Sequence, residues 1–159
     1  MNGKELWEKG IAALAGAWIG NRLGLLFPVI CLLMLLMAAD YVSGMLAAKK
    51  EALEHPGSKK YGWSSKKGIL GIFKKIGYFF TVFVAVCVDY FLYKFAQELG
   101  LKYESQTYFA LLVAIWFVIN EAISVLENAG RMGVELPQFL KKTLRELKKD
   151  LDDDKKGKE

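Results

Sequence analysis

Three carboxylates stand where carboxylates are rare. Asp40, Asp89 and Glu121 are each the only charged residue of a long apolar stretch: residues 23–48, 76–93 and 105–126. A carboxylate so placed has few chemical uses. It can couple to an ion or a proton, line a wet interior, or pair with a polar group on another helix. Acid–base catalysis is a poor fit, because the chain offers little to work beside it. His55 is the only histidine and lies next to Pro56 in a polar stretch, while Cys31 and Cys87 sit in apolar runs with no CxxC spacing. Neither a nucleophile–base set nor a group of metal ligands emerges. The chain is therefore read as a non-enzyme with no metal and no cofactor.

The elements that hold these acids follow from length and hydropathy. The chain has 159 residues, room for one domain, and 53% of them are hydrophobic. Crossing about 30 Å of hydrocarbon takes about 20 apolar residues at about 1.5 Å rise each. All three stretches qualify, the second narrowly. As cores of a soluble bundle they would leave no polar face for water. We expect an all-α integral membrane protein whose membrane domain covers residues 23–130, with spans at about 23–48, 69–95 and 105–128.

The ends differ in character. Residues 10–20 are uncharged but too few to span alone, and Trp7, Ile11, Leu14 and Trp18 share one helical stripe beside Ala12, Gly16 and Gly20. This pattern predicts an amphipathic or re-entrant helix over residues 1–22, with tryptophans at headgroup level and a small face for close packing. A fourth, short span is the alternative. Lys4 and Lys9 imitate the start of a signal peptide, but too few apolar residues follow them before a cleavage-like site. At the other end, Pro137 suits the first turn of a helix, and Leu136, Leu140, Leu144, Leu147 and Leu151 recur at helical spacing among lysines and arginines. Residues 131–159 are expected to be a basic amphipathic helix, lying on the membrane or packing between subunits, followed by a charged tail.

Charge placement sets the orientation and the partner class. The net charge is +5, which fits nucleic acid or an anionic membrane. Eight lysines fall within residues 49–75 (49, 50, 59, 60, 66, 67, 74 and 75) against Glu51 and Glu54. Residues 94–104 hold two lysines and two glutamates, and nine Lys/Arg follow from Arg131 onward. The positive-inside rule puts the first loop and the tail in the cytoplasm. The lysines gather at span ends without stacking aromatics or a groove signature, so nucleic acid is set aside. Lys49, Lys50, Lys66, Lys67, Lys74 and Lys75 are read as contacts to anionic lipid.

Depth separates the acids. Asp89 is four residues from Tyr93 and Glu121 five from Leu126, so reaching the nearer interface could account for both. Asp40 is eight residues before Ala48, roughly 12 Å from the cytoplasmic end, too deep for so short a side chain. It must face protein or internal water. Ser43, Gly44, Ala47 and Ala48 follow it as small residues that permit close helix approach, and Asn120, Glu121, Ser124, Glu127 and Asn128 form a polar stripe in the third span. Asp40, Ser43, Gly44, Asp89, Asn120, Glu121 and Ser124 are the candidates for a pore lining or an oligomer interface.

Three blocks carry a family resemblance: "DYVSGMLAAKK", "SSKKGILGIFKKIGYFF" and "NEAISVLENAGRMGVELPQFLKK". In this order they resemble the toxin-secretion/phage-lysis holin family, over about residues 25–142. Residue by residue the resemblance marks Asp40, Tyr41, Gly44, Gly68, Gly71, Lys74, Lys75, Asn120, Glu121, Ser124, Glu127, Asn128 and Pro137. It implies a small protein of the bacterial inner membrane that homo-oligomerises into lesions, releasing a cell-wall hydrolase (endolysin) or a large toxin. A small homo-oligomeric channel or transporter using Asp40 and Glu121 is the alternative from the residues themselves, weakened by the absence of inverted repeats. Met34, the next methionine, lies inside a span, so no simple second start is visible.

The lysine asymmetry yields a topology that can be measured. With Cys31 and Cys87 replaced, single cysteines at positions 58 and 105 are expected to react with an impermeant thiol reagent from opposite sides. Reaction from one side would refute the orientation.

Overall fold

A computed structural model of the chain describes residues 4–5, 7–9, 11, 20–21, 23–58, 61–62, 64–102, 107–140, 142–143 and 146. Three long helices dominate: α1 (Leu26–Glu54, 29 residues), α2 (Ser65–Glu98, 34) and α3 (Tyr108–Arg131, 24). At about 1.5 Å per residue they are about 43, 51 and 36 Å long, each more than the hydrocarbon thickness. No strand occurs among the described residues. All three helices are long and apolar enough to cross a membrane.

Local chemistry fixes their ends. Gly24, at φ 51°, turns the chain into α1, its N–H donating to the Gly20 carbonyl at 2.9 Å. Pro28 falls in the first turn, where an N–H would have no intrahelical acceptor. Pro56 and Gly57 follow the close of α1. The other two helices end alike. Gly100 N–H donates to Gln97 O at 3.0 Å and Leu101 N–H to Ala96 O at 2.9 Å. Gly133 N–H donates to Gly130 O at 3.0 Å and Val134 N–H to Ala129 O at 3.1 Å. Each pair is a Schellman motif, and each depends on a left-handed glycine.

Burial runs as one stripe along each helix. In α1 it passes through Leu26, Leu33, Met37 and Ala47, with Asp40 and Gly44 half-buried in phase. In α2 it passes through Tyr78, Val82, Ala85, Asp89 and Ala96, and in α3 through Ala110, Ala114, Glu121 and Asn128. Successive members are three, four or seven residues apart, the spacing of a heptad seam. All three span acids lie on these seams. The opposite faces expose large apolar side chains, among them Phe80, Phe83, Phe91 and Phe95 on α2.

The chain divides into two compact units, Met1–Leu35 with Ile72–Val118, and Leu36–Gly71 with Ile119–Glu159. The first is apolar inside. Leu26, Val82, Ala85, Ala110 and Ala114 form its core, with Val29, Ile30, Val86, Val113 and Phe117 packed around them. The three alanines let backbones approach closely, as close packing in lipid requires. Tyr78 stacks on Phe117 with ring centroids 4.0 Å apart. In the second unit α1 and α3 are joined by polar contacts, described below.

The end helices expected from sequence fall mostly outside the described residues. At the N-terminal side Lys4, Glu5, Trp7–Lys9 and Ile11 are helical, with Trp7 and Ile11 exposed; Leu14, Trp18, Ala12 and Gly16 are outside the described set. Beyond Pro137, residues 138–140, 142–143 and 146 are helical, and Leu144, Leu147 and Leu151 are likewise outside it.

The two kinds of glycine should respond oppositely to alanine. Gly133→Ala forces a side chain into φ 94° and should cost about 1–2 kcal/mol. Gly77→Ala, inside α2 with open space at its Cβ, should leave stability unchanged or raise it by up to about 1 kcal/mol. Thermal unfolding in detergent measures both; equal losses would contradict the assigned caps.

Candidate functional site

Asp89 is fully buried, and its partner is the beginning of another helix. Its Oδ1 accepts the Phe109 N–H at 2.9 Å and its Oδ2 the Ala110 N–H at 2.7 Å. These are backbone donors of the first turn of α3, which have no acceptor within their own helix. An N-cap residue normally supplies the acceptor; here a carboxylate from α2 does so across 20 residues of chain. The negative charge also faces the positive end of the α3 dipole. Two charge-assisted bonds to fixed backbone groups account for an acid at zero exposure. Reaching the interface is therefore not what settles Asp89.

Asp40 is answered by a side chain. The Asn128 amide Nδ2 donates to Asp40 Oδ1 at 3.0 Å and to Ser43 Oγ at 3.1 Å, and lies 3.3 Å from the Asp40 carbonyl oxygen. Ser43 Oγ–H in turn donates to that carbonyl at 3.1 Å. On the amide's other side, Arg131 Nη1 donates to Asn128 Oδ1 at 3.1 Å. The amide's orientation follows from these partners, since a carboxylate calls for its NH2 and a guanidinium for its oxygen. Arg131 then grips Glu51 through both forks, Nε to Oε1 and Nη2 to Oε2, each at 2.8 Å. The result is a chain Asp40–Asn128–Arg131–Glu51 joining α1 to α3 in the second unit. Lys50 extends it, with Nζ 2.6 Å from Glu54 Oε1 and 3.5 Å from the Arg131 carbonyl oxygen.

Small residues make room for this contact. A Cβ at Gly44 would lie 3.5 Å from Asn128 Nδ2, in ordinary van der Waals contact, so the glycine backbone sits directly beside the amide. Ala47, one step along the seam, is fully buried. Glu121 is 2% exposed and lies inside the protein, so it too is settled without reaching an interface. Asn120 and Ser124 are half-buried on the same helix.

The site residues expected from sequence therefore divide. Asp40, Ser43 and Gly44 come together around Asn128, Asp89 goes to the α3 N-terminus, and Glu121 is buried on the α3 seam. Lys49, Lys66 and Lys67 are exposed, and Lys50 is half-buried in its pair with Glu54. Lys74 lies 5.6 Å over the Tyr78 ring, a cation–π contact at the base of α2, and Lys75 is half-buried nearby in sequence. Two features were not foreseen: the Glu51–Arg131 pair and the capping by Asp89. The first has a signal, because Glu51 lies on the Asp40 seam and Arg131 three residues beyond Asn128. The second has none, since backbone donors carry no residue type.

Three apolar spans with their acids turned inward define a multi-pass helical membrane protein. The bacteriophage holin family matches residues 17–149, and the chain belongs to that family. It is 30% identical over 144 residues to an uncharacterised protein of Halalkalibacterium halodurans, covering 91% of this chain and 93% of the other. It is 31% identical to an uncharacterised Clostridium perfringens protein, covering 76% and 74%, and 31% identical to an uncharacterised 14.9 kDa protein in the nagH 3′ region of Clostridium perfringens, covering 76% of each. No solved structure matches significantly.

Replacing Asp89 tests the cross-helix cap. Asp89→Leu leaves two buried N–H groups without an acceptor and should cost about 3 kcal/mol, whereas Asp89→Asn keeps one acceptor and should cost about 1. Hydrogen exchange at the Phe109 and Ala110 amides should accelerate most in the leucine variant. Unchanged protection there would refute the cap.

Proposed function

We propose that the chain is a holin that accumulates in the bacterial inner membrane, self-assembles, and opens lesions through which a cell-wall hydrolase or a large toxin leaves the cytoplasm. The observation that carries this is membership in the holin family over residues 17–149. The architecture supports it. A dispersed copy keeps Asp40 and Asp89 hydrogen-bonded within itself and offers lipid an apolar, aromatic exterior. Such a chain can build up in a membrane without opening it. Assembly then depends on copy number, which fits a delayed and abrupt action.

Orientation and surroundings complete the proposal. The lysine-rich segment 49–75 and the tail face the cytoplasm, where anionic lipid draws the exposed Lys49, Lys66, Lys67 and Lys74 to the headgroups. The released hydrolase or toxin need not touch the chain.

Expressed in a bacterium, the protein should stop growth abruptly after a delay. With a cytoplasmic muralytic enzyme lacking an export signal it should cause lysis; without that enzyme, cells should die but keep their shape. Enzyme release timed against loss of membrane potential is the measurement. Gradual depolarisation with no release would favour a small ion channel, or lesions too small for a folded protein.

A further inference from the structure

The two fasteners of this chain differ in a way that bears on assembly. Asp89, on α2, is fully buried and holds backbone N–H groups at the start of α3. The α1–α3 contact of the second unit uses side chains instead, and the described side-chain-to-side-chain bonds between these two helices divide by polarity. The acceptors, Asp40, Ser43 and Glu51, are on α1; the donors, Asn128 and Arg131, are on α3. Its outer pair is open to solvent, with Arg131 and Glu51 side chains 43% and 24% exposed. Beside Asn128 stands Gly44, with no side chain to interlock.

Separating α1 from α3 here breaks these polar bonds. An Asp40 carboxylate so freed has to be paired again, because an unpaired charge within a span is not tolerated. The partner that offers the same acceptors and donors in the same register is a second copy of the chain. We propose that the Asp40–Asn128 and Glu51–Arg131 bonds are exchanged between copies on assembly, α1 of one copy pairing with α3 of another. The number of bonds is conserved, so the balance between closed and exchanged forms is set by concentration. Tethering favours the closed form when copies are sparse, and mass action favours exchange as membrane density rises. This rests on the self-assembly part of the proposed function and supplies a physical origin for its threshold.

Charge reversal split between two differently tagged chains tests it. Glu51→Arg alone places two cations opposite each other, and Arg131→Glu alone places two anions. Each variant expressed by itself should show at least a several-fold loss of oligomer, measured as capture of one tag by the other from solubilised membranes. Expressed together, each chain's reversed position meets its complement only on the other chain, and capture should return to the wild-type level. The double variant Glu51→Arg/Arg131→Glu should also self-capture normally. Restoration in the double variant but not in the mixture would show a bond confined to one chain and overturn the proposal. Wild-type capture by each single variant would overturn it as well. If the single variants fail to accumulate, the amount of each in the membrane becomes the readout: mutual rescue in the mixture supports exchange, and continued loss overturns it. Capture needs no muralytic enzyme, so a wild type that assembles but releases nothing would sink the release function and leave exchange standing.

Discussion

A carboxylate inside hydrocarbon has to be met by a donor, and lipid supplies none. Much of this structure is arranged around that constraint. Each long helix carries one acid in its apolar length, and each acid lies on its helix's buried stripe. Asp89 finds its donors in the first turn of α3, where every helix has N–H groups to spare. Asp40 finds its donor in the Asn128 amide, which passes the connection on to Arg131 and Glu51. Burying one charge thus organises the start of α3, and burying the other ties α3's far end to α1.

The heptad phase of the three seams makes these meetings possible. Steps of three and four residues keep the inward positions of a helix on one narrow face along several turns. On α1 that face passes from bulky residues such as Leu33 and Met37 to small ones such as Gly44 and Ala47, and Gly44 falls beside the polar contact. In the first unit the same arithmetic produces an apolar core dominated by alanines, with Tyr78 and Phe117 stacked at its edge. Van der Waals packing suffices where no acid needs a side-chain donor. Polar bonding takes over in the second unit, where Asn128 is buried.

For a member of the holin family, this division has a functional reading. Under the proposed function a chain waiting in the membrane has to be harmless as a single copy, and Asp40 and Asp89 are each hydrogen-bonded within the chain. Its exposed large apolar side chains suit lipid. The lysines at span ends are proposed to meet anionic headgroups without entering the hydrocarbon. What changes on assembly is proposed to lie at the contact made of exchangeable side-chain bonds, rather than at the cap built on backbone.

Composition and order along the chain were enough to establish three helical spans, their approximate positions, and the oddity of the acids. Those properties depend on hydropathy summed over some 20 residues, which tertiary contacts do not alter. That Asp40 would face protein or internal water was the expectation drawn from its place in the stretch, and it meets the Asn128 amide. Where the other two acids point was not legible. Asp89 and Glu121 lie within reach of an interface by count, yet both are buried, because rotation about the helix axis decides exposure and hydropathy averages over it. The pairing of Asp89 with Phe109 and Ala110 N–H groups is invisible in sequence, since any residue can donate from its backbone. The Glu51–Arg131 pair spans 80 residues and required α1 and α3 to be set in register. Only the tertiary structure fixes that register, with Gly44 set beside Asn128 and few donors able to answer a buried carboxylate.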